Sequence, residues 1–328
     1  MKPAPATVLV YVGGDLVGDA VMKLPFVRAL RRAWPDAHVT WCAGKHRSAF
    51  ARELSPLVAG LIDEVVEQAG FDRPLSTALR RPLGGRAFDL VIDTQRGVGT
   101  ALLLRRVRHR RFISGTAAFL MSDEKPRRGY VRPAALARQM LDLLELASGK
   151  PAETDAPLAI DAAARAAAEA ALPPGPVYVG LAPGAGGRHK CWPLENFTAL
   201  ARRQLDQGRV PVFILGPGEA DRVAALRAAV PEARFPTLGA DDVPQPSIAF
   251  TIALGQRLSA AVANDAGAGH ILAAADAPLV SLFGPTPAAK FAPAATRLAV
   301  IEAQCFGSNE MAAIPLEPVA DAVDRLLG

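Results

Sequence analysis

The chain has 328 residues, long for a single hydrophobic core and comfortable for two domains. Half of the residues are hydrophobic, 21% are charged and 6% are aromatic, which excludes a disordered polar chain and leaves few rings for stacking nucleic-acid bases. No apolar run nears the roughly 20 residues that span a bilayer, and the start M-K-P-A-P-A-T-V-L-V lacks the apolar stretch and cleavage site of a secretory signal, so the expectation is a cytoplasmic protein. Cys42, Cys191 and Cys305 are too few and too scattered for a disulfide framework or a zinc cluster and read as reduced thiols.

Val8 to Val12 is an apolar run before Gly13-Gly14, and Asp19 to Ala33 carries apolar residues at helical spacing, which predicts strand, glycine turn and helix. Ala37 to Cys42 reads as a second strand, Ser48 to Leu54 as a helix and Leu61 to Val66 as a third strand. Leu90 to Asp93 is another strand, with a helix starting over Gly99 to Leu104. A Pro-rich stretch between Ser148 and Pro176 brackets one Ala-rich helix, Asp161 to Ala171, and marks the domain boundary. The rhythm then restarts: strand Val177 to Ala182, helix Leu194 to Gln207, strand Val210 to Leu215, helix Glu219 to Ala229, strand Ala260 to Asn264, helix Ala268 to Ala275 and strand Leu279 to Phe283. Alternating strands and helices imply parallel α/β units. Two Rossmann-like domains are expected, residues 1–160 and 161–328, with a ligand cleft at the carboxyl ends of both sheets and the last helix, Pro318 to Leu327, packing back on the first domain.

The net charge of +5 is unevenly spread. From Arg105 to Arg138 there are ten basic and two acidic residues, net +8, which leaves −3 for the rest of the chain. Such a stretch, with Arg108, Arg110 and Arg111 at its heart, attracts phosphates of an acidic substrate or an anionic head group, or is a solvated basic face.

The strand-to-helix junctions carry the candidate chemistry. After Val177 to Ala182 comes P-G-A-G-G-R-H-K, in which Gly184, Ala185 and Gly186 let backbone N–H groups approach a phosphate and Lys190 supplies a point charge, unless this is an ordinary turn with a solvated lysine. Neither G-x-x-x-x-G-K-[ST] nor G-x-G-x-x-G is complete, which argues against a nicotinamide-dependent oxidoreductase. Asp19 stands at the first helix start as either its N-cap or a general base, with Asp15 a competitor for the second role. Gly14 and Gly18 keep that turn open to a substrate. In N-D-A-G-A-G-H, Asp265 can accept from sugar hydroxyls, the helix start at Gly267 favours an anion, and His270 either donates to phosphate or packs in the core. Glu219 can take both hydroxyls of a ribose or simply favour the helix dipole, and Thr286 in F-G-P-T can reach phosphate. No cluster of His, Cys or paired carboxylates points to a metal.

Taken in order, V-G-D-A-V-M-K-L-P-F-V-R-A-L-R-R, P-G-A-G-G-R-H-K-C-W-P and N-D-A-G-A-G-H-I-L-A-A-A-D-A-P-L-V-S-L-F-G-P-T resemble glycosyltransferase family 9, the ADP-heptose:lipopolysaccharide heptosyltransferases, over nearly the whole chain. The G-G-D-L-V-G-D turn is closer to the heptosyltransferase II type. The resemblance implies the GT-B fold and inverting transfer of heptose from an ADP-sugar to a lipopolysaccharide core or related glycolipid, without a cofactor. It implies Asp19 as base, Lys190 at the diphosphate, Asp265 at the donor sugar and Glu219 at the ribose. It further implies that the first domain, with Arg108, Arg110 and Arg111, binds an anionic glycolipid acceptor, with the protein peripheral to the inner membrane. The chain departs from the family at Ala185, Gly186 and Ala266, where hydroxyl residues are common. A transferase using another nucleotide-sugar, or a non-catalytic binding homologue, is the alternative.

Overall fold

β1 (Thr7–Val12) is apolar at every position but Thr7 and Tyr11 and buried from Val8 onward, as a strand covered on both faces must be. It opens the first of two units, Met1–Ala159 and Ile160–Gly328, in a computed structural model that describes residues 2–44, 46–71, 82–238 and 247–328. The helix expected over Asp19 to Ala33 is two helices, α1 (Val17–Met22) and α2 (Leu24–Ala33), parted at Lys23. Pro25 in the first turn of α2 is the cause: it has no N–H to continue the ladder from α1, while its fixed φ suits a helix start. β2 (His38–Ala43) and β3 (Glu64–Val66) follow. The helix expected over Ser48 to Leu54 is only a 3₁₀ turn, Ala49–Ala51, capped by the Ser48 hydroxyl.

β4 (Ala87–Asp93), α3 (Val98–Leu104), β5 (Arg108–Ser114) and α4 (Leu136–Ser148) complete the unit. The five strands are parallel in the order β3-β2-β1-β4-β5. β5 is a strand where the sequence reads only as a basic run. It lies at the sheet edge, where Arg108 and Arg110 point to solvent while Phe112 and Ile113 are buried.

The second unit starts with α5 (Ala162–Ala171), capped by the Asp161 carboxylate, which accepts from the Ala164 N–H at 2.6 Å. Then come β6 (Tyr178–Ala182), α6 (Leu194–Asp206), β7 (Val210–Phe213), α7 (Val223–Ala229) and α8 (Ile248–Gly255), the last packed on α5. β8 (Ala260–Asn264), α9 (Gly267–Ala274), β9 (Leu279–Phe283), α10 (Ala288–Phe291), β10 (Leu298–Glu302) and α11 (Leu316–Leu327) finish the chain. All strands are again parallel, in the order β10-β9-β8-β6-β7, with Arg234 bridging to Val212 beyond the β7 edge. α11 packs on β8, β9 and β10 of its own unit, and Val319, Ala320 and Val323 enter that core beside Trp192 and Phe197. The apolar stripe of α11 thus contributes to the core of the second unit. Among the described residues no helix is long and apolar enough to cross a membrane.

Candidate functional site

In each sheet the chain reverses its direction of travel once, between β1 and β4 in the first unit and between β6 and β8 in the second. Loops leaving neighbouring strands diverge there, and the crevice between them at the carboxyl ends is where open α/β sheets take ligands.

In the second unit five of the expected residues meet at that edge. Lys190 Nζ donates to Asp265 Oδ2 at 3.0 Å, and the Thr286 hydroxyl donates to the same oxygen. These three residues follow β6, β8 and β9, so the parallel register brings together side chains 75 and 21 positions apart. The Asp265 side chain is only 9% exposed and Lys190 28%, so the pair is shielded enough for its geometry to matter. Glu219, on the 3₁₀ turn Pro217–Arg222 after β7, accepts from the Gly216 N–H at 2.7 Å. Its carboxyl also lies against Gly184, where a Cβ would fall 2.5 Å from the carboxyl carbon; only glycine allows that approach. Gly186 has open space around its Cα, and Ala185 is half-buried between the two glycines.

α9 begins without a side-chain cap, because its N-cap is Ala266. The first amides of the helix, at Gly267 and Ala268, therefore have no capping side chain, a disposition that favours an anion. His270 lies in the first turn of this helix, half-buried.

One residue that organises this edge carries no role in the sequence reading. Asn264, fully buried at the end of β8, accepts from the Trp192 N–H at 3.0 Å and donates to the Pro183 carbonyl at 2.9 Å. It thereby pins both ends of the loop that holds Gly184 to Lys190. The available signal was a polar residue closing an otherwise apolar strand.

In the first unit the two aspartates have different surroundings. Asp15 is 2% exposed and fully engaged: Oδ2 accepts from Trp41 Nε1 at 2.8 Å and Ser48 Oγ at 2.9 Å, and Oδ1 pairs with Lys23. It is a structural tie between β2, the 3₁₀ turn and α1. Asp19 is exposed, in the first turn of α1, and among the described residues its carboxylate makes no hydrogen bond or ion pair. Nor does it cap the helix, whose N-cap is Leu16. Gly14 sits in the turn before α1, its carbonyl accepting from Lys23 Nζ at 3.2 Å, and Gly18 is inside the helix.

The basic residues do not join this group. Arg108, Arg110 and Arg111 lie in the first half of β5, in register with Ala87 to Leu90, about 20, 13 and 10 Å of strand respectively from the carboxyl end at Ser114. Arg110 is paired with Asp89 at 3.4 Å and Arg111 with Glu124 at 2.5 Å. A strand through Arg108–Ser114 thus sets these three arginines back from the carboxyl edge of the sheet, where the turn that leads to Asp19 begins.

At the carboxyl end of β4, Asp93 is fully buried, and burial pushes its carboxyl up to about 6 against the pull of hydrogen bonds from Ser114, Gln95 and Thr116. Nothing in the local sequence distinguished it from a capping residue. Among the described residues no group of three His, Cys, Asp or Glu is placed to hold a metal ion.

Two doubly wound parallel units, one with a cation, a hydroxyl and a helix start beside a carboxylate at its carboxyl edge, have the architecture of the GT-B class. The profile of glycosyltransferase family 9 (heptosyltransferase) matches residues 76–313, most of the chain, so this chain belongs to that family and is a glycosyltransferase. It is 24% identical over 298 residues to the lipooligosaccharide heptosyltransferase 2 of Haemophilus influenzae, covering 85% of this chain and 83% of that protein. The fold is similar to a family 9 glycosyltransferase from Veillonella parvula, with TM-score 0.71, 20% identity and coverage of 100% and 98%. It is also similar to the E. coli heptosyltransferase WaaC solved with ADP, with TM-score 0.67, 20% identity and coverage of 98% and 99%.

Proposed function

We propose that this protein transfers heptose from an ADP-activated donor to a hydroxyl of a lipopolysaccharide core or related glycolipid, with inversion, in a single displacement. The observation that carries the reading is the gathering of Lys190, Thr286, Asp265 and Glu219 at one sheet edge, on a family 9 frame. The donor diphosphate takes its counter-charge from Lys190, the glycine loop and the α9 amides. These groups meet the negative charge that grows on the departing ADP. Asp265 accepts from the sugar and Glu219 from the ribose. Asp19, exposed and unengaged, takes the proton of the attacking acceptor hydroxyl. The names of similar proteins support the donor and acceptor classes: WaaC has been solved with ADP-2-deoxy-2-fluoro heptose, and the Haemophilus relative is a lipooligosaccharide enzyme.

A glycolipid acceptor brings the enzyme to a membrane surface, and we place it as a peripheral protein on the cytoplasmic face, held through the basic stretch Arg105 to Arg138. A second reading, an ADP-sugar other than heptose, is favoured by Ala185, Gly186 and Ala266, which offer backbone amides but no hydroxyls to a sugar.

The test is transfer by wild type and Asp19→Asn with ADP-heptose and a core-oligosaccharide acceptor. We expect the variant to lose about 10²- to 10⁴-fold in turnover while binding ADP as before. Unchanged turnover removes Asp19 as base, and transfer from a different ADP-sugar but not ADP-heptose replaces the donor.

A further inference from the structure

The crevice of the first unit contains a second polar side chain for which the fold itself has no use. β4 ends on Asp93, and the next two residues tie three strands together. Thr94 donates from its N–H, at 3.2 Å, and from its hydroxyl, at 2.8 Å, to the Tyr11 carbonyl of β1. Asp93 Oδ1 accepts from the Gln95 N–H at 2.9 Å, while Oδ2 accepts from Ser114 Oγ at 2.8 Å and lies 3.4 Å from Thr116 Oγ1. Thr116 Oγ1 is also 3.4 Å from the Gln95 carbonyl. The backbone of Gln95 is thus held from both sides by groups at the ends of β4 and β5.

This framing fixes where the Gln95 carboxamide goes. It lies over Gly13, at the start of the turn that leads to Asp19: a Cβ on Gly13 would stand 3.2 Å from Gln95 Oε1. Nε2 donates to Thr94 Oγ1 at 3.3 Å, and among the described residues nothing donates to Oε1. A half-buried carboxamide with a free acceptor and a second N–H, on a rigid strand end, offers both halves of the hydrogen bonding that a sugar hydroxyl requires. The support beneath it comes at a cost, since burying Asp93 disfavours its charged form. Simple closure of a strand end does not require a buried carboxylate.

We infer that Gln95 is an acceptor-binding residue that hydrogen-bonds a sugar hydroxyl in the β1–β4 crevice beside Asp19, and that Asp93 is the residue that positions it. The inference rests on the reading that the first unit binds the glycan acceptor. It assigns acceptor recognition to a neutral amide at the carboxyl edge instead of to the arginines of β5.

The experiment measures acceptor binding by calorimetry without donor, and acceptor KM and kcat at saturating ADP-heptose, for Gln95→Ala, Gln95→Glu, Asp93→Ala and Asp93→Asn. Loss of one neutral hydrogen bond predicts roughly tenfold weaker acceptor binding for Gln95→Ala, with ADP affinity unchanged. Gln95→Glu, which loses the donor half and adds a charge, is expected to be no better. Asp93→Asn, which still accepts from the Gln95 N–H, should keep acceptor affinity within about twofold, whereas Asp93→Ala should match Gln95→Ala. Among acceptors each lacking one hydroxyl, one should bind wild type and Gln95→Ala alike. Acceptor binding that is equal with and without the Gln95 side chain overturns this inference alone. A wild-type protein that binds no core oligosaccharide overturns the functional reading together with it.

Discussion

Replacing Asp93 by Asn should change how the stability of the first unit depends on pH. The carboxyl is raised from 3.8 in an exposed chain to about 6 in the fold, because its charged form is desolvated and the three hydrogen bonds it accepts compensate only in part. Between about pH 4 and pH 6 the folded state therefore holds a proton that the unfolded chain has released. Folding is favoured by that proton, so this group makes the protein less stable as pH rises through the window. A shift of about 2 units at 1.36 kcal/mol each amounts to about 3 kcal/mol, absent below pH 4 and fully present above pH 6. Asn is neutral throughout and carries no such dependence. Urea unfolding followed by the emission of Trp34 and Trp41, both in the first unit, should show the variant gaining on wild type by about 3 kcal/mol between pH 4 and pH 7. At a slope of about 2 kcal/mol per molar urea, the difference between the two midpoints moves by about 1.5 M. Lost hydrogen bonds from Ser114 and Thr116 offset the two curves by a constant and leave that change intact. Parallel midpoint curves from pH 4 to pH 7 would refute the assignment of a buried, proton-holding carboxyl to this position.

Asn264→Ala leaves the Trp192 N–H and the Pro183 carbonyl without partners in a buried site, so it should cost about 2–4 kcal/mol, visible in thermal unfolding read from Trp192, and should weaken ADP binding; a loss below 1 kcal/mol would show that water or backbone movement replaces it. Gly184→Ala forces the Glu219 carboxyl away from the loop, and we expect about tenfold weaker binding of ADP by calorimetry, with binding at wild-type strength ruling out Glu219 as a contact. Arg108→Gln with Arg110→Gln should leave the KM for a soluble, delipidated acceptor unchanged, because the about 13 to 20 Å of strand between them and the carboxyl edge exceeds the screening length of about 8 Å at physiological salt; a several-fold rise in KM would assign these residues to the acceptor site.

The sequence by itself determined the local grammar of this protein. Apolar runs ended by glycine, followed by residues at helical spacing, are short-range signals, and they located β1, β6, β8 and β9 and the junctions holding Gly184, Lys190, Asp265 and Thr286. Where local chemistry pulled against the run, the reading slipped: Pro25 divided one helix into two, and the charged start of β5 hid an edge strand, whose outer face needs no apolar residues. The three ordered motifs were enough to point to the family.

Only the tertiary structure decided which of these residues act together. Parallel register puts every strand's carboxyl end on one edge, so Lys190 and Asp265 meet although 75 positions separate them, while Arg108 and Arg110 are carried away from the edge that Asp19 occupies. Which of Asp15 and Asp19 is engaged followed from partners on other elements. Trp41, Ser48 and Lys23 saturate Asp15, and a saturated buried carboxylate is a tie in the fold, whereas the exposed, unengaged one remains able to take a proton. Gln95 has no local signature and Asn264 only that of a polar residue closing an apolar strand, because what each bonds to lies across the sheet from it. Hydrogen-bond satisfaction is a property of three-dimensional neighbourhoods, and in this protein it separates the residues that build the two crevices from those that serve them.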